Sequence, residues 1–189
     1  NGDGNAVRDL TFSGVIGGAV TGVSGLTKAG LGAVTLSGAN TYQGVTSLSR
    51  GRVILTGAGT LGSTAGGTRI GISGRLTLAG GVTSAEPIFL DDLVNAFNGA
   101  LSIENVGTNT LSGPIRMSDS IRWQSSGTLN VNGGISTTNG NGGSFMVMQG
   151  GTLMNISGKP IANGAGQLYM APATARIFDT ADGERLLDQ

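Results

Sequence analysis

The sequence predicts an all-β fold, a single-domain parallel β-solenoid of about six to eight coils, and three observations carry the prediction. Glycine is the outlier, at 36 of 189 residues against a usual ~7%. A five-residue pattern, Gly-x-(Leu or Val)-x-apolar, returns along the chain at fairly even spacing. No segment of convincing length repeats its apolar residues at helical intervals.

The pattern reads "GAVTL" from Gly32, "GRVIL" from Gly51, "GRLTL" from Gly74, "GALSI" from Gly99 and "GTLNV" from Gly127. It returns more loosely as "GTLMNI" from Gly151 and as "GQLYM" from Gly166, with 15 to 28 residues between successive starts. Alternation over four to six residues, bounded by Gly, Ser and Asn, reads as strand. One such strip cannot bury its apolar side chains alone, so it makes sense only between copies of itself. An antiparallel sandwich wants turns about every 8–12 residues, which this spacing does not supply.

Stacking coil on coil aligns Val34/Leu36, Val53/Leu55, Leu76/Leu78, Leu101/Ile103, Leu129/Val131 and Leu168/Met170 into inward rows. Thr35, Thr77, Ser102 and Asn130 are then expected to point outward. The expected organisation is a lead-in coil over 1–24, repeat-like coils over 25–136, and divergent coils with a tail over 137–189. The best helical candidate is "EPIFLDDLVNAFNG", Glu86 to Gly99, with a bulged loop bearing one strand as the alternative. Asn40, Asn109 and Asn132 fall at expected corners, as turn formers or as members of a stacked side-chain ladder.

Composition removes whole classes of chemistry. The chain has no Cys and no His, which excludes thiol chemistry, the usual serine triad and His-ligated zinc. Eleven basic residues balance eleven acidic ones, and aromatics are only 4%, so neither a basic stripe nor a stacking platform for nucleic acid is present. No stretch reaches the ~18 apolar residues of a transmembrane helix. No cofactor is expected. The chain opens on Asn1, and a processed or excised product is expected.

The segment "GLTKAGLGAVTLSGANTYQGVTSLSRGRVILTG" resembles the autotransporter-associated β-strand repeat, also called the passenger-associated transport repeat. The resemblance rests on Leu26, Thr27, Lys28, Gly30, Gly32, Gly38, Asn40, Tyr42, Gly44 and Gly51, and a looser copy runs through "GALSIENVGTNTLSGPI". It implies a right-handed, pectin-lyase-like parallel β-helix in a secreted bacterial surface protein, usually a non-enzymatic stalk. The chain departs from the family in its charged tail, "ATARIFDTADGERLLDQ", and in showing no outer-membrane barrel sequence.

Few residues suggest a site. Asp91 and Asp92, with Glu86 and Glu104, raise a polysaccharide-active enzyme. Adjacent carboxylates on a strand point to opposite faces, however, whereas glycoside hydrolysis needs two facing across one bond. A solvated loop is the preferred reading, with no catalytic or metal-binding residue assigned. Arg50, Arg52, Arg69 and Arg75 recur from coil to coil, and read as outward-facing solubilising charge before a stripe for acidic glycans. Trp123 reads as a core plug before a sugar platform, and Asn155-Ile156-Ser157 matches a short glycosylation pattern of little specificity.

The function expected from the sequence is therefore structural and extracellular. A rod that adds head-to-tail into a fibre or surface layer stands first, because open coil ends of matching register give a contact that does not close. An autotransporter passenger stalk or adhesin stands second and a polysaccharide-active enzyme third. The expected partners are further copies of the chain, end to end, with a cell-surface or glycan ligand open in each reading.

Overall fold

A strip of alternating residues bounded by glycines needs a copy of itself above and below, and the architecture supplies one at every coil. The computed structural model describes residues 9–18, 24–90, 101–117 and 121–137, and beyond them the backbone of strands within 145–185. In chain order the strands are β1 (Leu10–Phe12), β2 (Leu26–Lys28), β3 (Ala33–Leu36), β4 (Thr46–Leu55), β5 (Thr68–Ala79), β6 (Thr83–Ser84) and β7 (Ile88–Leu90). There follow β8 (Leu101–Val106), β9 (Asn109–Leu111), β10 (Ile115–Met117), β11 (Ile121–Ser126), β12 (Thr128–Val131) and β13 (Ile135–Thr137). The last five are β14 (Phe145–Gln149), β15 (Leu153–Ile156), β16 (Gln167–Met170), β17 (Ala175–Asp179) and β18 (Gly183–Arg185).

Every strand pairing among the described residues is parallel except that of β17 with β18. The pairings define three faces of a solenoid. The first holds β2, the leading halves of β4 and β5, then β7, β10 and β13. The second stacks β1-β3-β4-β5-β8-β11-β14-β16, eight strands in one ladder, in keeping with the expected coil number. The third stacks β6-β9-β12-β15-β17-β18.

β4 and β5 each turn from the first face to the second without breaking the ladder, and the corner shows how. Gly51 sits in β4 at φ 79°, a conformation open to Gly at no steric cost. Opposite it β5 carries one extra residue, since Leu48 pairs with Ile70 but Arg50 pairs with Ser73. This bulge leaves Ile72 exposed beside the corner.

The interior is layered. On the first face the inward row runs Thr46, Thr68, Ile88, Ile115, Ile135. On the second, Val34 pairs with Val53 and Val53 with Leu76, while Leu36, Leu55 and Leu78 form the neighbouring row. Leu36, Val53, Leu55, Leu76 and Leu78 have no exposed surface, and each contributes about 1.5–3 kcal/mol by leaving water.

The register departs from the expected stacking after Leu78. Leu76 pairs with Ile103, not with Leu101, and Leu78 pairs with Asn105. The slip is two residues, so it conserves which side chains face inward. A second irregularity, between Arg122 and Trp123 on β11, leaves Ser102 opposite no partner. Leu101 consequently lies at the corner, Ser102 is buried rather than outward, and Thr77 is buried beneath Glu104. Leu129 and Val131 belong to another row altogether: β12 is on the third face, where they pair with Asn109 and Leu111. At β16, Met170 pairs with Met148 and so continues the row of Val34, and Leu168 pairs with Met146.

Of the helical candidate, Ile88–Leu90 is strand β7, and the remainder, 91–100, lies outside the described residues. Among the described residues no helix is long and apolar enough to cross a membrane.

Candidate functional site

Charged side chains collect at the corner between the first and second faces. A groove of about 540 Å³ runs there, lined in part by Asp9, Arg50, Arg52, Ile72, Arg75 and Leu101. These residues come from five successive coils, so the groove follows the solenoid axis for roughly 19 Å at the ~4.8 Å rung spacing. The corner bulge supplies one wall through Ile72, and exposed Leu31 adds apolar surface.

Its electrostatics are unbalanced. Arg52 and Arg75 are register partners, so two guanidinium-bearing side chains stand one rung apart. Both converge on one oxygen: Arg52 Nη1 lies 3.4 Å and Arg75 Nη1 4.0 Å from Glu104 Oε2. The Thr77 hydroxyl donates to the same oxygen at 2.9 Å. At about 40% side-chain exposure these ion pairs are worth ~0–1 kcal/mol each. The Arg50 guanidinium has no side-chain partner among the described residues. Asp9 spends one oxygen on the Ala33 N–H at 2.7 Å, which anchors the start of β3.

The four arginines of the sequence reading therefore do not form one stripe. Arg69 is on the first face, its guanidinium 5.1 Å from the centroid of Phe89, with Arg116 at 5.7 Å from the same ring. Arg69, Phe89 and Arg116 are consecutive register partners, so the ring sits between two cations.

A second polar cluster lies inside. Glu86 is 3% exposed, and its Oε1 accepts a hydrogen bond from Thr68 Oγ1 at 3.3 Å. Burial pushes its carboxyl up to about 7, and the Thr68 hydroxyl pulls it partly back. Tyr42, also buried, shares a 2.6 Å hydrogen bond with Thr46, whose hydroxyl donates to Leu61 O at 2.8 Å. Burial pushes the Tyr42 phenol up to about 12, with the Thr46 hydrogen bond lowering it and the Glu86 charge raising it.

Of the other carboxylates, Glu104 faces the arginines outside while Glu86 faces inward, and Asp91 and Asp92 lie outside the described residues. Among the described residues no three of His, Cys, Asp or Glu are grouped to hold a metal. Trp123 is a core residue, in register with Ile103, and Asn155 is in β15 opposite Asn130. Phe89, Asp9 and the pairing of Glu104 were missed from the sequence. The 23-residue separation of Arg52 and Arg75, one coil length, was the available signal.

The repeat residues turn out to be staples between coils. Lys28 is buried, and its ammonium donates to the carbonyls of Ala29, Gly30 and Arg50 at 3.1, 2.7 and 3.2 Å, using all three of its N–H groups. A Cβ on Gly51 would lie 2.5 Å from Gly30 O and 2.6 Å from both Gly32 O and Lys28 Nζ. Asn40 accepts from Ile16 N–H and donates to Thr60 O, both at 2.7 Å, so one side chain bridges the coils on either side. Gly38 and Gly44 lie against backbone of the preceding coil, with no room for a side chain. Leu26 and Thr27 pair with Thr46 and Ser47.

No curated protein and no solved structure matches the chain. The family model of the passenger-associated-transport-repeat does match, over residues 26–55, from the first residue of β2 to the last of β4. Those 30 residues contain Lys28, Gly30, Gly32, Asn40 and Gly51 in the roles just described. Residues 26–55 thus match the passenger-associated-transport-repeat model, and they are built into a parallel β-solenoid.

Proposed function

We propose that the chain is a rod-forming section of a secreted bacterial surface passenger, acting mechanically and not as an enzyme. The observation that carries this reading is the transport repeat at 26–55 set within a second-face ladder that runs from β1 to β16. Eight strands at ~4.8 Å per rung make a stiff column of roughly 34 Å. Lys28 and Asn40 lock neighbouring coils where backbone pairing is interrupted. Such a ladder grows one coil at a time from local contacts, which suits a chain that folds as it emerges from a membrane. The test is to fuse the chain between a secretion signal and an outer-membrane translocator, with and without residues 26–55. Surface exposure with a protease-resistant product, reduced by the deletion, is expected. Equal display of both forms, or complete digestion of the displayed chain, sinks the reading.

Head-to-tail assembly is the second reading, and one observation favours it. The first coil leaves Leu10, Phe12 and Val15 exposed at 55%, 44% and 62%, in a register that a further coil would cover. That coil is either more of the same polypeptide or a second copy. At the other end of the third face β18 pairs antiparallel with β17, which stops parallel addition there and favours the stalk. Negative-stain microscopy over a concentration series separates the two: filaments one solenoid wide support assembly, and short rods at every concentration exclude it.

A further inference from the structure

The arginine-lined corner has more positive charge than the fold uses. Arg50, Arg52 and Arg75 meet there, and among the described residues Asp9 and Glu104 are the carboxylates beside them, on a chain whose net charge is zero. Asp9 is committed to the Ala33 amide and forms no ion pair with these arginines among the described residues. Two guanidiniums share a single Glu104 oxygen at 3.4 and 4.0 Å, and most of their ten N–H donors point elsewhere. The cost of holding Arg52 and Arg75 one rung apart falls when another anion sits between them and Arg50. The groove volume of about 540 Å³ lies within the ~300–1,000 Å³ of ligand sites.

We propose that this corner groove binds an extended acidic oligosaccharide along the solenoid axis, its carboxylate or sulfate groups held by Arg50, Arg52 and Arg75. Three features select a glycan over other polyanions. Among the described residues no aromatic side chain lines the groove, so they offer no platform for the base stacking that holds single-stranded nucleic acid. Along most of its length the groove's walls are β3, β4 and β5, which are paired on both sides, so a peptide lying there finds no free strand edge to extend. The walls do offer exposed aliphatic surface at Leu31 and Ile72, which packs against the C–H faces of a sugar ring. Glu104 then acts as a built-in competitor that the incoming anion displaces.

The test is calorimetric titration of the whole chain with three hexasaccharides: sulfated from heparin, carboxylated from polygalacturonate, and neutral maltohexaose. Binding of either anionic sugar, weakening as salt rises from about 50 to 300 mM, is expected, and which one binds identifies the acidic group. Arg50→Ala should weaken it about tenfold, the size of one lost charge-assisted contact. The Arg50 guanidinium holds no described side chain, so this variant keeps the fold, as a melting curve will verify. Glu104→Gln should tighten binding several-fold by removing the competitor. Arg116→Ala makes the same charge change on the first face and should leave affinity within about twofold. Equal losses from Arg50→Ala and Arg116→Ala reduce the effect to net charge and overturn the proposal. So does failure of both anionic sugars, equal binding of maltohexaose, or tighter Arg50-dependent binding of polyglutamate or an oligonucleotide.

Discussion

A carboxylic acid sealed inside a solenoid makes stability depend on pH, and Glu86 allows the size of that effect to be worked out. Its carboxyl moves from an ordinary 4.5 to about 7 because the folded chain withdraws it from water, with only the Thr68 hydroxyl to favour the charged form. The folded state therefore holds the proton more tightly than the unfolded state. Between the two values the native chain binds more protons, so stability falls as pH rises. The contribution is fully present below about 4.5, declines through the interval, and is gone above about 7. A displacement of this size corresponds to roughly 3 kcal/mol, at ~1.4 kcal/mol per unit.

Glu86→Gln removes the titration while keeping an oxygen to accept from Thr68. Above pH ~8 the variant should be the more stable by up to about 3 kcal/mol, or roughly 6–12 °C in Tm for a chain of this length. Near pH ~4.5 the two proteins should melt together, because Glu86 is then neutral like the amide. Thermal melts followed by circular dichroism at half-unit steps of pH, read as the difference between the two proteins, supply the measurement. Parallel curves across the whole range would refute the reasoning, since they would mean that Glu86 ionises in the folded chain as it does in water. A variant less stable than the parent at pH ~8 would refute it too, for the same charge would then be stabilising.

Other consequences concern the staples. Lys28→Met leaves the carbonyls of Ala29, Gly30 and Arg50 without their donor and should cost about 1–3 kcal/mol, measured by urea unfolding. Gly51→Ala adds a Cβ 2.5 Å from Gly30 O at φ 79° and should lower stability by at least about 2 kcal/mol. Gly57→Ala, at φ 55° with open space around it, should cost only about 1 kcal/mol; equal losses at both positions would remove the crowding argument. Asn40→Ala orphans the Ile16 N–H and Thr60 O together and should accelerate exchange of the Ile16 amide, seen by hydrogen-exchange mass spectrometry.

The coil was legible in the sequence, and the reason it was legible also limits what could be read. Two-residue alternation between glycine corners follows from any strand with one dry side, so "GAVTL", "GRVIL" and "GRLTL" stack as their pattern says. "GTLNV" carries the same pattern for the same reason on the third face, where Leu129 packs over Asn109. Alternation reports which side of a strand is inside. It does not report which of three faces the strand belongs to, because each face imposes the same period. Register is underdetermined in a related way. A slip of two residues keeps every side chain on its own side, and the slip at β8 puts Asn105 where the row of Leu36, Leu55 and Leu78 would continue. What makes that position tolerable lies in other coils and corners: Asn105 donates to Ser125 Oγ and Gly107 O and accepts from Asn109, which in turn holds the Val82 N–H and Leu78 O. The groove escapes the sequence by the same logic. Arg50, Arg52 and Arg75 are visible as recurring charges, but their company is decided by the two corner irregularities that expose Ile72 and displace Leu101. A repeat thus specifies its core through what every coil shares, whereas its sites arise where one coil differs from the next, and it is at those differences that Arg50 and Glu104 are placed.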